Sequence, residues 1–505
     1  MKKLFVWAMV ATLLMAGSAF ASGFKANSNA TAGAAFFTGA GPTTTNNDDS
    51  CDISTAPAAT LLLPYFEVDF NSAQTTAQTT LFTVTNVTQL PQIAHVTIWT
   101  DWSYPVMDFN LFLTGYDVQA INMYDILGPR AIIGSATGTT NSTDEGQRSL
   151  LNNANPHFLS SAATSCSLLP GPVPTNIIGD VRTALTNGLY ASTCGTTRVG
   201  GTHANAIGYV TIDVAATCGT TLPFDPAYFS TEILFDNVLI GDYQQINPNP
   251  ATGNYAGGNP LVHIRAVPEG GLAGQPAVLT NLPYTFYDRY TPAAARTFDR
   301  RQPLPSVFAA RYIQGGTGAF NTNFKIWREG VTGPLAACSQ YIRNSGTSTE
   351  MQVSDLVRFD EHENPTVNSS AIVISPRQTT TVIMPETSSQ SSASGNFPPM
   401  STLAGDVAGW MYLNLNNGGA AAYSTTVAGV SSATPNPTRP FNTGSTAANF
   451  ARQNQDWVII SMFAEGRYSV DFDAAWLGNG CSPSAAVTDQ NGGAPAIGPS
   501  PNATP

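Results

Sequence analysis

Apolar and polar residues alternate along the stretch between Leu61 and Leu127. In Ala94–Trp102 and in Asp108–Thr114, nearly every second residue is apolar, and β-branched and aromatic residues are frequent. A period of two with this composition is typical of strands that bury one face. Four or five such strands, separated by Asn, Pro and Gly, predict an antiparallel β-sandwich.

The same pattern returns further along the chain. Strands are predicted at Ala206–Thr217, Thr231–Asp242, Leu261–Val267, Ser306–Gln314, Asn321–Glu329, Ser370–Ser375, Gln378–Met384, Trp410–Asn416, Trp457–Ala464 and Tyr468–Phe472. Ser306–Gln314 and Asn321–Glu329 are expected to pair with each other across a GGTG turn. The second of these strands ends in Ile-Trp and a charged residue, like Ala94–Trp102, and this similarity suggests a diverged duplication.

Pro-, Gly- and Ser-rich stretches divide the chain into two domains. Residues 51–268 are predicted to form the first domain, with a loop-rich insertion at 128–205 that contains short helices at Ser149–Leu159 and Ile177–Tyr190. Residues 303–481 form the second domain, in which Glu386–Pro399 and Ala420–Asn449 are read as loops. The predicted fold is all-β, with two Ig-like, antiparallel β-sandwich domains that carry long loop insertions and short helices.

Residues 269–302 are predicted to link the two domains. This linker contains Arg289, Arg296, Arg300 and Arg301, which are expected either to pair with Asp288 and Asp299 where the domains meet or to be solvated. Residues 22–50 and 482–505 have low complexity and are predicted to be disordered.

The first 21 residues have the features of a signal peptide. Lys2 and Lys3 precede the apolar run Leu4–Met15, and an A-x-A cleavage site ends at Ala21. The run is shorter than the about 20 residues that span a bilayer, so cleavage is favoured over a retained anchor. We therefore expect export to the periplasm, the cell surface or the medium, with no transmembrane segment after cleavage.

The charge balance disfavours one class of partner. The chain has 21 Lys and Arg against 33 Asp and Glu, a net charge of −12, and loss of Lys2 and Lys3 makes it −14. An acidic chain repels phosphate backbones, so we expect no nucleic-acid partner.

An even number of cysteines in an exported chain suggests disulfides. The sequence has Cys51, Cys166, Cys194, Cys218, Cys338 and Cys481, and no CxxC spacing. Cys338 and Cys481 are the two in the C-terminal half, so we predict that they pair. A nested arrangement then joins Cys166 to Cys194 and Cys51 to Cys218, with buried thiols as the alternative.

Three blocks of the chain resemble uncharacterised exported bacterial proteins. The blocks read LLLPYFEVDF, AHVTIWTDWSYPVMDFNLFLTGYDVQ, and GWMYLNLNN with a later AEGRYSVDFDAAWLGNGC. The resemblance extends over most of the mature chain and implies export, but it implies no activity. The likeness to Ig-like domains rests on strand spacing alone.

The sequence contains none of the common catalytic signatures. GxSxG, the P-loop, GxGxxG before a helix, HExxH and the EF-hand loop are all absent. The run Asp360–Glu363 is expected to be an exposed acidic turn rather than a cation site, and no metal or cofactor is predicted.

Two residues are candidate ligand contacts. Trp99 and Asp101 fall on the polar face of their predicted strand, where an exposed ring beside a carboxylate would suit a sugar. The favoured alternative is that Trp99 is covered by the insertion or by the other domain. Acidic residues on neighbouring segments could also form the carboxylate pair of a glycoside hydrolase; they are Glu67, Asp69, Asp101 and Asp108.

These observations favour an exported, non-enzymatic protein of surface structure, adhesion or matrix assembly. Its partner would be a cell-surface polymer, a polysaccharide or a protein. The alternative is a carbohydrate-binding module or glycoside hydrolase that uses the acidic and aromatic strand faces of the first domain.

Overall fold

The computed structural model describes less than the whole chain. The described residues are 56–73, 75–127, 175–216, 219, 221, 223, 225, 227–248, 254–266, 301, 304, 307–315, 320–328, 338, 352–353, 355–362, 365–368, 372–373, 387–391, 408–415, 456–464 and 468–476. The predicted signal peptide, leader, tail, most of the linker, helix Ser149–Leu159 and strand Gln378–Met384 lie outside these residues.

Antiparallel sheets make up most of the described chain, which confirms the all-β prediction. The strands of the N-terminal half are β1 Thr60–Val68, β2 Thr79–Asn86, β3 Gln92–Thr100, β4 Pro105–Leu113, β5 Val118–Asn122, β6 Ala206–Ala215, β7 Leu239–Ile240, β8 Asp242–Asn247, β9 Asn254–Pro260 and β10 Val262–Ile264. They form a central sheet of order β10-β1-β6-β3-β4 and a second sheet of order β5-β2-β8-β9, in which β7 also pairs with β2.

The C-terminal half contributes further antiparallel sheets. Its strands are β11 Val307–Ile313, β12 Asn321–Arg328, β13 Gln352–Val353, β14 Asp355–Asp360, β15 Pro365–Asn368, β16 Ile372–Val373, β17 Thr387–Ser391, β18 Ala408–Asn414, β19 Asp456–Ala464, β20 Tyr468–Asp473 and β21 Ala475–Trp476. Their orders are β17-β12-β19-β20, β15-β14-β18-β11-β21 and β13-β16.

The described helices are short. They are α1 Met123–Leu127, α2 Thr175–Asn187 and α3 Ala191–Cys194, together with a π-helical turn at Tyr228–Glu232. Helix α2 confirms the helix predicted at Ile177–Tyr190. No helix among the described residues is both long enough and apolar enough to cross a membrane.

The central sheet is buried on both faces, whereas one buried face was predicted. Strand β2 shows the expected alternation of buried and partly exposed residues, but β3 is buried from Ala94 to Thr100 on both faces. One face packs on the second sheet through contacts of β1 with β2 and β8. The other face receives β12 and β17 from the C-terminal half, because these strands lie against β1 and β6.

Three strand predictions were wrong. Strands β11 and β12 approach each other at the Gly315–Phe320 bridge, but β11 pairs with β18 and β21, whereas β12 pairs with β17 and β19. Thr387–Ser391 was read as loop and is strand β17. Thr231–Asp242 was read as one strand, yet it begins in the π-helical turn and contains only the short strand β7 and the first residue of β8.

Both predicted domains contribute to one hydrophobic cluster. Trp99 stacks on Tyr209 with ring centroids 5.7 Å apart, and Trp327 meets Tyr209 edge-on at 5.8 Å. Thr387 donates its hydroxyl proton to the Pro64 carbonyl at 2.6 Å, which joins β17 to β1. The division into two domains remains a prediction, and the described halves pack directly on each other.

The disulfide of the described chain differs from the predicted pairs. Cys194 at the end of α3 is bonded to Cys338, 144 residues away. The predicted Cys338–Cys481 and Cys166–Cys194 pairs were therefore wrong. Pairing by position along the chain failed because the fold brings α3, in the N-terminal insertion, beside a residue of the other half; the four remaining cysteines lie outside the described residues.

Candidate functional site

Trp99 is fully buried, in agreement with the favoured interpretation that it is covered. Its indole Nε1 donates to the Thr211 hydroxyl at 2.8 Å, and its ring is stacked on Tyr209. A ring that is enclosed and hydrogen-bonded in this way presents no surface to a sugar.

Asp101 is also buried, and it holds neighbouring segments together. Its two carboxylate oxygens accept hydrogen bonds from the Gly201 N–H at 2.9 Å and from His203 Nε2 at 2.8 Å. Its carbonyl accepts the Thr387 N–H at 3.3 Å. Asp101 therefore anchors the end of the insertion and the start of β17 to the turn after β3.

The remaining acidic candidates, Glu67, Asp69 and Asp108, each have different neighbours. Glu67 accepts hydrogen bonds from the Tyr65 hydroxyl at 2.9 Å and from Asn205 Nδ2 at 2.7 Å. Asp69 accepts the backbone N–H groups of the next turn. Asp108 lies on β4, an edge strand of the central sheet, and a different group of buried residues surrounds it.

One face of the central sheet carries a row of buried polar side chains. In the register of the sheet, His95 lies opposite both Asp213 and Asn110, and Thr97 lies opposite both Thr211 and Asp108. Residues directly opposite in an antiparallel pair share one face. We call this the polar face, defined by Thr60, His95, Thr97, Asp108, Asn110, Thr211 and Asp213.

Around Asp213, the polar groups of the polar face are paired with one another and with Arg301. The Asp213 carboxylate is 2.8 Å from Arg301 Nη1 and also accepts from the Thr60 and Tyr228 hydroxyls. Arg301 is completely buried and lies 5.4 Å over the Phe229 ring. Arg301 was expected either to pair with Asp288 and Asp299 where the domains meet or to be solvated; it pairs with Asp213 of the central sheet instead.

Other buried atoms on the polar face, and one on Glu232 beside it, are not satisfied within the described part of the chain. His95 Nε2, Thr97 Oγ1, Asp108 Oδ2 and Glu232 Oε1 are buried without a hydrogen-bond partner. Such atoms are rare in folded proteins and mark a functional role, bound water or an ion. Among the described residues, no group of three or more His, Cys, Asp and Glu is arranged to hold a metal.

Burial sets the protonation of these groups. Desolvation, followed by the charge of Glu232, raises the pKa of Asp108 to about 7. Desolvation also raises the pKa of Glu232 and lowers that of His95. Near neutral pH this favours a neutral imidazole beside two carboxyl groups that resist ionisation together.

A second feature lies at the edge of the fold. Leu90, Tyr116 and Val118 are 70, 64 and 57% exposed; Leu90 and Tyr116 lie in the β2–β3 and β4–β5 connections, and Val118 is the first residue of β5. The Tyr116 N–H donates to the Thr88 carbonyl at 2.9 Å, so the two connections are adjacent. We call these connections, with Val118, the loop tip.

Sequence reasoning missed Glu232, Arg301 and Tyr116. Glu232 lay within a predicted strand and Arg301 in a predicted linker, and neither local pattern points to the central sheet. The sequence Thr-Gly-Tyr-Asp at 114–117 does have the composition of a turn, which was the one signal available for an exposed tyrosine.

The fold and the site define an all-β protein with a buried polar face and an exposed loop tip. No protein-family profile, curated protein or solved structure matches this chain.

Proposed function

We propose that the chain is an exported, non-enzymatic adhesion or matrix-associated structural protein that makes contact through its loop tip. The exposed apolar side chains of Leu90, Tyr116 and Val118 carry this proposal. Exposed apolar residues clustered at one place on a surface are typical of interaction sites. The burial of Trp99 and Asp101 also supports a contact surface elsewhere on the molecule.

Hydrogen bonds from a buried side chain fix the conformation of the loop tip, and such pre-organisation favours binding. The buried Asn86 side chain donates to the Leu90 carbonyl at 2.7 Å and to the Thr114 carbonyl at 2.9 Å. Tyr116 has a φ of 57°, in the left-handed region that bulky residues rarely adopt. A strained backbone at an exposed aromatic persists only where the surroundings impose it, and such outliers are frequent at functional positions.

The test is a binding assay with the full-length chain on the insoluble extracellular material of the producing cells. Leu90→Ser and Tyr116→Ser together should reduce retention at least about tenfold, which corresponds to about 1.4 kcal/mol. Phe320→Ser is the matched control, because Phe320 is 37% exposed on the other half of the chain. Equal retention of all three proteins would contradict the proposal.

Carbohydrate binding is the second candidate, now at Tyr116 rather than Trp99. The loop tip exposes an aromatic ring, and its one acidic residue, Asp117, accepts from the Thr114 N–H at 3.0 Å and from the Thr114 hydroxyl at 3.2 Å. An exposed aromatic ring on an acidic protein suits a neutral sugar better than an anionic one. Retention on insoluble neutral polysaccharides, lost in Tyr116→Ser, would favour this candidate, and no retention would leave the adhesion proposal alone.

A further inference from the structure

Residues 227–235, the cover segment, lie on the polar face of the central sheet. The Ala216 N–H donates to the Glu232 carbonyl at 2.7 Å, and the Leu234 N–H donates to the Val214 carbonyl at 2.8 Å. The Tyr228 hydroxyl donates to Asp213, and its ring meets His95 edge-on at 5.9 Å. The cover segment is therefore bound to β6 at both ends and lies over β3.

This arrangement buries two carboxyl groups near each other. Asn110 on β4 donates to the Gly219 carbonyl at 2.8 Å, and Gly219 in turn lies directly against the Glu232 carboxyl group. Asp108 is two residues from Asn110 and on the same face of β4. The two carboxyl groups thus belong to one buried cluster, and each has an oxygen without a hydrogen-bond partner in the described chain.

Among the described residues, the groups around this cluster supply no free counter-charge. The titratable and charged groups that face this cluster are His95 on β3, Asp213 on β6, Arg301, Tyr228 on the cover segment and Tyr190 before α3. Burial, and then the charges of Asp180 on α2 and of Asp108, raise the pKa of Tyr190. Arg301 is bound to Asp213, and burial favours the neutral form of His95. Two buried negative charges here would repel each other at low dielectric.

We propose that Asp108 and Glu232 bind one proton between them, and that loss of this proton weakens the attachment of the cover segment to the central sheet. The pair is a pH-sensitive latch built into the fold. Thr97 is fully buried and lies opposite Asp108 in the sheet register. Its hydroxyl has no hydrogen-bond partner among the described residues, so it can accept or donate a hydrogen bond at the protonated carboxyl group.

The direction of the pH effect follows from the raised pKa of Asp108. A carboxyl group whose pKa is higher in the folded than in the open state stabilises the closed form at low pH. Asp108 contributes its full stabilisation of the closed form below pH about 4. The stabilisation declines as the pH rises and is lost above pH about 7. The lowered pKa of His95 has the opposite effect, because it destabilises the closed form as the pH falls below the ordinary pKa of histidine. The contribution of Asp108 is therefore measured as the difference between the wild type and a variant.

Amide hydrogen exchange on the full-length protein tests the latch between pH 4.5 and 8. The reporters are the amides of Ala216 and Leu234, whose hydrogen bonds attach the cover segment to the end of β6, and of Ile233, whose hydrogen bond to the Tyr228 carbonyl closes the π-helical turn within the segment. Ile326 on β12 is an internal reference. Protection factors are first corrected for intrinsic exchange rates. The ratio of the wild-type protection factor to that of Asp108→Asn should then fall by up to about tenfold for each pH unit up to pH 7. Asp108→Asn should remove the dependence because it mimics the protonated acid.

Two further variants keep the test decisive. Glu232→Gln should flatten the dependence as Asp108→Asn does, and it provides the answer if Asp108→Asn does not fold. Asp242→Asn changes an exposed carboxylate at the start of β8 and should leave the wild-type dependence intact. The proposal would be overturned if the protection factors of the wild type had the same pH dependence as those of Asp108→Asn or Glu232→Gln.

Discussion

Single buried polar residues hold the central sheet to the segments that cover it. Arg301 is the clearest case, because its guanidinium group is fully buried and bonded to both Asp213 and Thr60. A buried ion pair contributes little net stability over an apolar pair, but removal of one partner leaves an uncompensated charge. The loss of stability on mutation at these positions therefore depends on whether a buried charged partner is left unpaired.

Arg301→Met should lower the free energy of unfolding by about 3–5 kcal/mol, because Asp213 would remain buried without its cation. The double variant Arg301→Met with Asp213→Asn should recover part of that loss. Urea unfolding of the wild type and both variants measures the difference. A double variant no more stable than the single one would show that the charge of Asp213 is not the cause.

The two aromatic residues considered for ligand binding should respond oppositely to truncation. Trp99→Ala should cost about 3–5 kcal/mol, because it leaves a cavity and an unpaired Thr211 hydroxyl in the core. Tyr116→Gly should be neutral or slightly stabilising, because glycine adopts the left-handed conformation without strain. Thermal melts that are unchanged in Trp99→Ala would contradict the burial of this side chain.

At the scale of elements, the loop tip depends on a close backbone approach. A Cβ at Gly115 would overlap the Gln89 carbonyl, whereas a Cβ at Gly179 on α2 would meet no atom within 4 Å. The β2–β3 and β4–β5 connections can therefore be adjacent only if position 115 has no side chain.

Gly115→Ala should destabilise the protein and loosen the loop tip, whereas Gly179→Ala should stabilise it by up to about 1 kcal/mol through helix propensity. Differential scanning calorimetry of both variants provides the comparison. A Gly115→Ala protein with wild-type stability and wild-type retention would show that the close approach of Gln89 to Gly115 is not required.

Local periodicity predicted the strands well where the chain alternates regularly. Strands β1 to β4, β6, β12 and β19 lie where the pattern placed them, because burial of one or both faces selects β-branched and aromatic residues. Strand β17 was missed because its sequence, TSSQS, has no apolar residue, and the pairing with β12 and the bonds of Thr387 hold it in place. Backbone hydrogen bonding to a neighbour can fix a strand that no local pattern shows.

The polar face could not be predicted for a related reason. Alternation placed His95, Thr97 and Trp99 on the side of β3 opposite to its apolar residues, which was correct. That side was read as the polar face of the strand, with Trp99 expected to be covered by the insertion or by the other domain. Nothing local shows that the cover segment, β12 and β17 lie over it. Long-range packing therefore decided both the burial of Trp99 and the environment of Asp108.

At the scale of the whole molecule, the two halves are joined by side chains, backbone and a covalent bond. Cys194 is bonded to Cys338, Arg301 is bonded to β1 and β6, and Thr387 is bonded to Pro64 and Asp101. Closure of a loop of 144 residues corresponds to roughly 5 kcal/mol in the chain-entropy model, and measured values are often smaller.

The described halves should therefore unfold together. Calorimetry of the oxidised protein should show one transition with equal calorimetric and van't Hoff enthalpies. The variant in which Ser replaces both Cys194 and Cys338 should melt at a lower temperature. Two separate transitions in the oxidised protein would contradict the shared core.

Peptide mapping without reduction, on protein recovered from outside the cytoplasm of the producing cells, tests the proposal of export most directly. The proposal predicts an N-terminal peptide that begins at Ser22 and a disulfide-linked peptide pair that contains Cys194 and Cys338. Protein that retains Met1 and carries both of these cysteines as thiols would contradict it.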